Sequence, residues 1–340
     1  MSRLILEKNE SSAIRALLGE LTSLYSSVED KNFLKDVSVT AHELPRRVRV
    51  FLNDFKQLEP APGVCIISGY TVDDQRIGPT PKHWKARSGV SPTLAEEMLF
   101  LLYSSLLGDA IGWATQQDGH LVHDVLPIKD DENEQISTGS QQTIWWHNED
   151  AFHPYRGDYV ALMCLRNPDH IPTTFASVDM LELDPEVKEI LFEPRYIIKP
   201  DESHAEKNNG CKGGEACATA KFAYRHIEMM RKNPQKQPVL LGHPQSPYLR
   251  LDPYFMSPPD DDASMHALNT LIREIDSKLS EVVLQPGDYL FVDNYRSVHG
   301  RKAFKARYDG TDRWLKRMNI TRDLRKSRDS RERSSSRIIF

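Results

Sequence analysis

A change of pattern near residue 110 constrains the fold of this chain more than any other feature. Before it, apolar residues recur at helical spacing over 12–24, over 41–55 with Pro45 near the start, and over 93–111. The last stretch is apolar enough to lie buried against a sheet. One short run between them, GVCIISG at 63–69, has the form of a buried strand closed by a glycine. After it come short apolar runs separated by turn residues, at 159–165, 174–178, 196–198, 239–241, 248–251, 282–284, 289–292 and 314–321. A single long amphipathic stretch, 262–279, interrupts them. Many short strands with few helices argue for a mainly β protein with flanking helices, a sandwich or jelly roll, over a doubly wound sheet. No internal repeat is visible. The chain is expected to form one catalytic domain over 1–325, helical over about 1–111 and strand-rich over about 112–325, with a frayed tail at 326–340.

Composition narrows the function classes. The 340 residues are 39% apolar and 27% charged, ordinary for a soluble globular protein, and the length supports a sizeable core. A formal net charge of -5 suggests no phosphate-binding surface, so nucleic acid is not an expected partner. No apolar run approaches the roughly 20 residues of a membrane span, and the N-terminus lacks the basic and apolar regions of a signal peptide. The expected location is the cytoplasm, with no membrane partner, as a monomer or a homodimer. The four cysteines match no zinc spacing. Cys65 and Cys164 sit in apolar runs and read as small core residues. Cys211 and Cys217 flank CKGGEAC and read as free thiols in a mobile loop, with a labile disulfide as the alternative. Two polar stretches, 130–140 and 201–220, have the character of lids. The Ser/Arg/Lys/Glu run at 325–337 reads as a solvated end, its positive charge diluted by Asp and Glu.

The chemistry is concentrated in W-W-H-N-E-D, residues 145–150. On a strand, residues i and i+2 share a face about 6.7 Å apart, so His147 and Glu149 could reach one metal. Two histidines and one carboxylate on one face of an octahedron leave three open positions, which suits iron(II) holding a co-substrate and oxygen. The missing ligand is expected from a distant strand, and His299 in V-H-G-R is the candidate. His-x-Glu alone is weak, because such pairs arise by chance. Arg313, fourteen positions after His299, adds weight: a strand-borne arginine there can pair bidentately with the distal carboxylate of 2-oxoglutarate. The alternative for Arg313 is an ion pair with Asp309 or Asp312. Asp150 is read as an outer partner or solvated, and His123 and His153 as structural or exposed.

At these residues the sequence resembles the clavaminate synthase-like branch of the iron(II) and 2-oxoglutarate oxygenases. Within it the closest likeness is to the arginine hydroxylases of antibiotic biosynthesis, of the viomycin-pathway arginine 3-hydroxylase type. The matching stretches are AHELPRRVRVFL (41–52), LLGDAIGWATQQDG (106–119), DVLPIK (124–129), WHNEDAFHPYRGDYVALMCLRNPD (146–169), IIKPDESH (197–204), DNYRSVHGR (293–301) and RYDGTDRWLKRMNITRDLRKSR (307–328). The resemblance implies a distorted double-stranded β-helix, a cupin-like jelly roll, flanked by helices. It implies iron at His147, Glu149 and His299, with Arg313 and Thr174 on the distal carboxylate of 2-oxoglutarate. It places Arg317 on the substrate α-carboxylate, Gln116 and Glu149 on the α-amine, and Ser137 on the amino acid backbone. Asp201 and Asp252 match two acidic residues around a guanidinium, which a planar fork of donors fits well. Their bland alternatives are an exposed loop carboxylate after Pro200 and a turn residue before Pro253. At Tyr254 the chain departs from the family's second aspartate.

The implied reaction consumes 2-oxoglutarate and dioxygen, releases succinate and carbon dioxide, and hydroxylates an unactivated carbon of free L-arginine, C3 ahead of C4. Enduracididine, citrulline or lysine as substrate, and desaturation of arginine, are alternatives within the family. A zinc hydrolase built on the same three ligands and a non-catalytic jelly-roll binding protein are the alternatives outside it. The first gives Arg313 and Thr174 no role, and the intact triad argues against the second.

Overall fold

The computed structural model describes residues 1–86, 89–206 and 215–340; at 215–219 it describes the backbone only. Cys211 and Cys217, with the middle of the second polar stretch, fall outside the described residues or side chains. The strands, in chain order, are β1 Ser2–Ile5, β2 Val64–Ser68, β3 Asp109–Trp113, β4 His123–Val125, β5 Ile144–His147, β6 Tyr159–Arg166 and β7 Thr173–Ser177. They continue with β8 Leu240–His243, β9 Ser246–Leu249, β10 Ser280–Val282, β11 Tyr289–Asp293, β12 Ser297–Arg301, β13 Trp314–Thr321 and β14 Ile338–Ile339. The helices are α1 Lys8–Leu24, α2 Lys31–Thr40, α3 Arg46–Leu58, α4 Asp74–Ile77, α5 Leu94–Leu107, α6 Pro185–Phe192, α7 Glu215–Lys232 and α8 Asp262–Lys278. None of them, among the described residues, is long and apolar enough to cross a membrane.

Two sheets face one another as a jelly roll. The larger runs β1-β2-β11-β6-β13-β3-β14 with β4 beside β13, and the smaller runs β10-β7-β12-β5. Most pairings are antiparallel. Alternation along each strand sorts residues between two environments. Inward side chains such as Val160, Leu162, Phe175, Leu290, Val292 and Leu315 pack between the sheets. Outward ones on the larger sheet, among them Tyr289, Phe291, Met318 and Ile320, pack with helices α1, α2, α3 and α5. Ala176 and Val298, on the outer face of the smaller sheet, pack with α6 and α8. Cys65 and Cys164 are buried free thiols, as expected.

Several sequence expectations shift. Pro45 splits the helix expected over 41–55: residues Ala41–Glu43 form a single 3-10 turn, and α3 starts after the proline, which cannot donate inside a helix. The helix expected over 93–111 stops at Leu107. A Cβ on Gly108 would lie 2.2 Å from the Thr321 carbonyl oxygen, so the chain turns there to pair with β13. Residues 196–198 make only isolated bridges, to Gln237 and Met256. Helices α2, α4, α6 and α7 have no counterpart among the expected helical stretches.

The tail expected to fray at 326–340 is docked instead. Buried Arg331 gathers it, donating to the carbonyls of Leu324 (2.6 Å), Ser334 (2.9 Å) and Ser336 (2.5 Å). The following residues form β14, parallel to β3, and Ile339 is buried against Ile111 and Trp113. Deleting residues 338–340 removes that side chain and two backbone hydrogen bonds, Ala114 N to Ile339 O at 2.8 Å and Phe340 N to Ser330 O at 2.9 Å. The expected cost is about 2–3 kcal/mol by urea unfolding; an unchanged midpoint would show that the strand adds nothing.

Candidate functional site

His147 ends β5, and its Nδ1 donates to the Trp145 carbonyl at 2.8 Å, which turns Nε2 toward Glu149 Oε2. Glu149 was expected on the same strand. The strand ends at His147, and Glu149 sits in the turn beyond, where Asp150 adopts φ 51. Two asparagines fix that turn. Asn294 exchanges hydrogen bonds with the Glu149 backbone at 2.7 and 3.0 Å. Asn148 donates to the carbonyls of Asn294 and Ser297, each at 3.0 Å, and accepts from Leu251 N at 2.8 Å. His299 arrives on β12, paired with His147 in register. A Cβ on Gly300 would meet the Ile144 carbonyl oxygen at 2.6 Å, so glycine lets β5 and β12 approach.

The three side chains converge. Glu149 Oε2 lies 3.7 Å from His147 Nε2 and 3.4 Å from His299 Nε2. Burial alone would raise the Glu149 pKa, but the Arg317 guanidinium and the two imidazoles hold it well below the usual range. Burial works against charge on His147 too; its hydrogen bond to Glu149 and the charges of Asp252 and Glu149 outweigh it and lift the pKa to about 9. His299 is pushed down by burial. A cation bound here must displace the His147 proton, so metal affinity falls as pH drops.

The cleft above this triad has about 890 Å³ of free space, mouth included, within the range of small-ligand sites. Arg313 lines this cleft. It is buried, and among the described residues it makes no hydrogen bond or ion pair; its Nε–H is orphaned. Burial lowers its pKa to about 10. The alternative partners are engaged elsewhere: Asp309 bonds Thr311, and Asp312 accepts from the backbone of Arg307 and Tyr308. Thr174 does not join Arg313. It pairs with Gly300 on the outer face of the smaller sheet, whereas Thr173, paired with Arg301, lines the cleft. The Thr-Thr doublet left the register ambiguous by one residue, and one residue reverses the face.

Arg317 lies two strand repeats from Arg313, roughly 13 Å along β13. It is ion-paired to Glu149 and donates to Gln116 Oε1 and His123 Nδ1, each at 3.0 Å. His123, expected to be structural or exposed, is therefore part of the site. Its Nε2 donates to the His120 carbonyl at 2.9 Å, which leaves Nδ1 as an acceptor for Arg317. No sequence spacing could link residues so far apart. Gln116 stands behind Arg317 and donates to Ser203 Oγ at 2.6 Å. Asp201 caps the turn that carries Ser203. Asp150, far from solvated, is buried and accepts from Trp113 Nε1 (2.6 Å) and Asn319 Nδ2 (2.9 Å), facing His204 Nε2 at 3.0 Å. His153 is buried beside Trp113, as a structural residue would be.

Asp252, in the same cleft, is buried and makes no ion pair among the described residues; burial lifts its pKa to about 7 against the pull of the nearby His147 charge. Asp201, Ser137 and the half-exposed Tyr254 line the same cleft.

The family model of the taurine catabolism dioxygenase TauD, TfdA family matches residues 99–319. This chain belongs to that family. The oxygenase is 44% identical to enduracididine beta-hydroxylase of Streptomyces hygroscopicus and 44% identical to L-ornithine/L-arginine 3-hydroxylase of Catenulispora acidiphila, each over 100% of both chains. It is also similar to the non-heme iron oxygenase OrfP solved with Fe, succinate and (3S)-hydroxy-L-Arg, with a TM-score of 0.94 and 48% identity over 100% of both chains. It is an iron(II)- and 2-oxoglutarate-dependent oxygenase of the clavaminate synthase-like kind. The geometry fits that chemistry. One carboxylate and two imidazoles offer ligand atoms within 4.8 Å of one another. The buried, unpartnered Arg313 guanidinium fits a carboxylate.

Proposed function

We propose that this oxygenase hydroxylates free L-arginine, or a close analogue, at C3 in specialised-metabolite biosynthesis, acting in the cytoplasm as a single catalytic domain that includes the docked C-terminal strand. The observation that carries the substrate is Asp252: a buried carboxylate that makes no ion pair among the described residues, in the same cleft as the triad. A buried ion without a partner is costly, and a ligand guanidinium removes the cost. The arginine and ornithine hydroxylases among its relatives, and the hydroxyarginine held by OrfP, support the same reading.

The residues divide the work. His147, Glu149 and His299 hold iron, which with 2-oxoglutarate and dioxygen supplies the oxidising power for an unactivated C–H bond. Arg313 takes the distal carboxylate of 2-oxoglutarate, with Thr173 beside it. Arg317 offers a guanidinium to the substrate α-carboxylate while steadying Glu149. Gln116 and Glu149 receive the α-amine, and Ser137 the backbone. Asp252 and Asp201 grip the guanidinium, so the chain between is stretched past the triad and one carbon is presented. Tyr254 closes the mouth without adding charge.

Binding is expected to follow pH through Asp252. The folded carboxyl holds its proton more tightly than an unfolded one, so the ligand-free protein loses stability as pH rises from about 4 to about 7. A guanidinium needs the ionised form. The dissociation constant for L-arginine, by anaerobic calorimetry with iron and 2-oxoglutarate, should therefore rise up to about tenfold per unit below pH 7. Asp252→Asn should weaken arginine about 100-fold and flatten that profile, while neutral citrulline binds poorly to both proteins. Equal binding of arginine and citrulline would sink the acidic-pocket reading.

A further inference from the structure

Arg301, two residues beyond His299, lies outside the roles given above. It faces the same cleft as Arg313 and is equally buried. Among the described residues it too lacks an anionic partner. Its Nη1 donates to the Gly139 carbonyl at 2.7 Å and its Nη2 to the Gln142 carbonyl at 3.0 Å; its Nε–H is orphaned. The segment after it grips the same loop. Phe304 N donates to the Ser140 carbonyl at 2.8 Å, and Tyr308 Oη lies 3.2 Å from Ser140 Oγ. Residues 301–308, between the third metal ligand and Arg313, therefore hold the loop that carries Ser137. Within that loop Gly139 is closely packed, since a Cβ there would lie 2.2 Å from the Glu134 carbonyl oxygen.

Two buried guanidiniums that line one cleft, neither with an ion pair among the described residues, repel one another. A carboxylate at Arg313 offsets that repulsion. With it in place, both Nη groups of Arg301 can stay aligned on the Gly139 and Gln142 carbonyls. Without it, the charge that orders the loop is pushed away from its neighbour.

We propose that Arg301 is a positioning residue that couples the 2-oxoglutarate end of the cleft to the loop of residues 130–143, so that co-substrate binding fixes Ser137 and raises affinity for the amino acid. This rests on the assignment of Arg313 to the distal carboxylate. The coupling is reciprocal: the amino acid must tighten 2-oxoglutarate by the same factor.

The test uses the anaerobic iron-loaded protein. In the unaltered chain, 2-oxoglutarate should slow amide hydrogen exchange over residues 130–143 and tighten L-arginine about tenfold. In Arg301→Gln both effects should vanish while 2-oxoglutarate still binds. Arg301→Lys, which keeps the charge but lacks the fork, should retain only part of each. No 2-oxoglutarate-dependent protection of 130–143 in the unaltered chain overturns the proposal without any variant. Full coupling in Arg301→Gln also overturns it. If Arg313→Met binds 2-oxoglutarate as tightly as the unaltered chain, the failure lies with the assignment of Arg313 instead.

Discussion

Replacing Arg313 by methionine is expected to weaken 2-oxoglutarate binding at least 100-fold while leaving the ligand-free protein as stable as before, or more so. The two halves have one cause. Arg313 is buried, carries an orphaned Nε–H, and has no anionic neighbour among the described residues. Such a charge costs stability when nothing is bound, and a methionine of similar length removes it. With the co-substrate present the same charge makes a forked, charge-assisted pair, each hydrogen bond contributing about 1.5–3 kcal/mol. Titration calorimetry and thermal unfolding of one preparation read both. A large fall in unfolding temperature with binding unchanged would mean that Arg313 is a structural cation.

Lys316 is expected to behave in the opposite way. It is the next residue on β13 but one from Trp314, and alternation turns it out of the cleft. It is buried, with Nζ 2.6 Å from Asp124 and 2.9 Å from Glu97, both buried as well. Lys316→Met leaves two carboxylates buried without their cation, at a cost of about 3–5 kcal/mol. Asp124 neighbours His123, and their strand pairs Lys316 with Asp124 and Arg317 with His123. The loss should therefore reach the Arg317 environment before the chain unfolds. Urea unfolding measures it; a loss below about 1 kcal/mol would show that the buried carboxylates find other partners.

The contrast between these neighbours shows what was legible in the sequence. A strand at 314–321 followed from its apolar alternation, and Arg313 stood out by its spacing from His299. The triad was legible because its chemistry restricts residue types, although the strand itself ends at His147 and Glu149 is set by asparagine side chains. Thr174 and Thr173 could not be separated, since face depends on register and register on pairing with β12. His123, Asn148 and Asn294 were hidden for another reason. Each acts through a partner remote in sequence, and neither periodicity nor motif spacing carries that information. The C-terminal tail misled because its charge pattern resembles a solvated end; a single buried arginine and two isoleucines reverse that balance.

The central claim is oxidation of free arginine coupled to 2-oxoglutarate. The most direct measurement is mass spectrometry of L-arginine after incubation with the protein, iron(II), 2-oxoglutarate and isotopically labelled dioxygen, beside parallel reactions with lysine and citrulline. The account predicts one labelled oxygen atom in arginine, one in succinate, and equal amounts of the two products. Unchanged arginine, with the label in another amino acid or with no succinate formed from any of them, would contradict it.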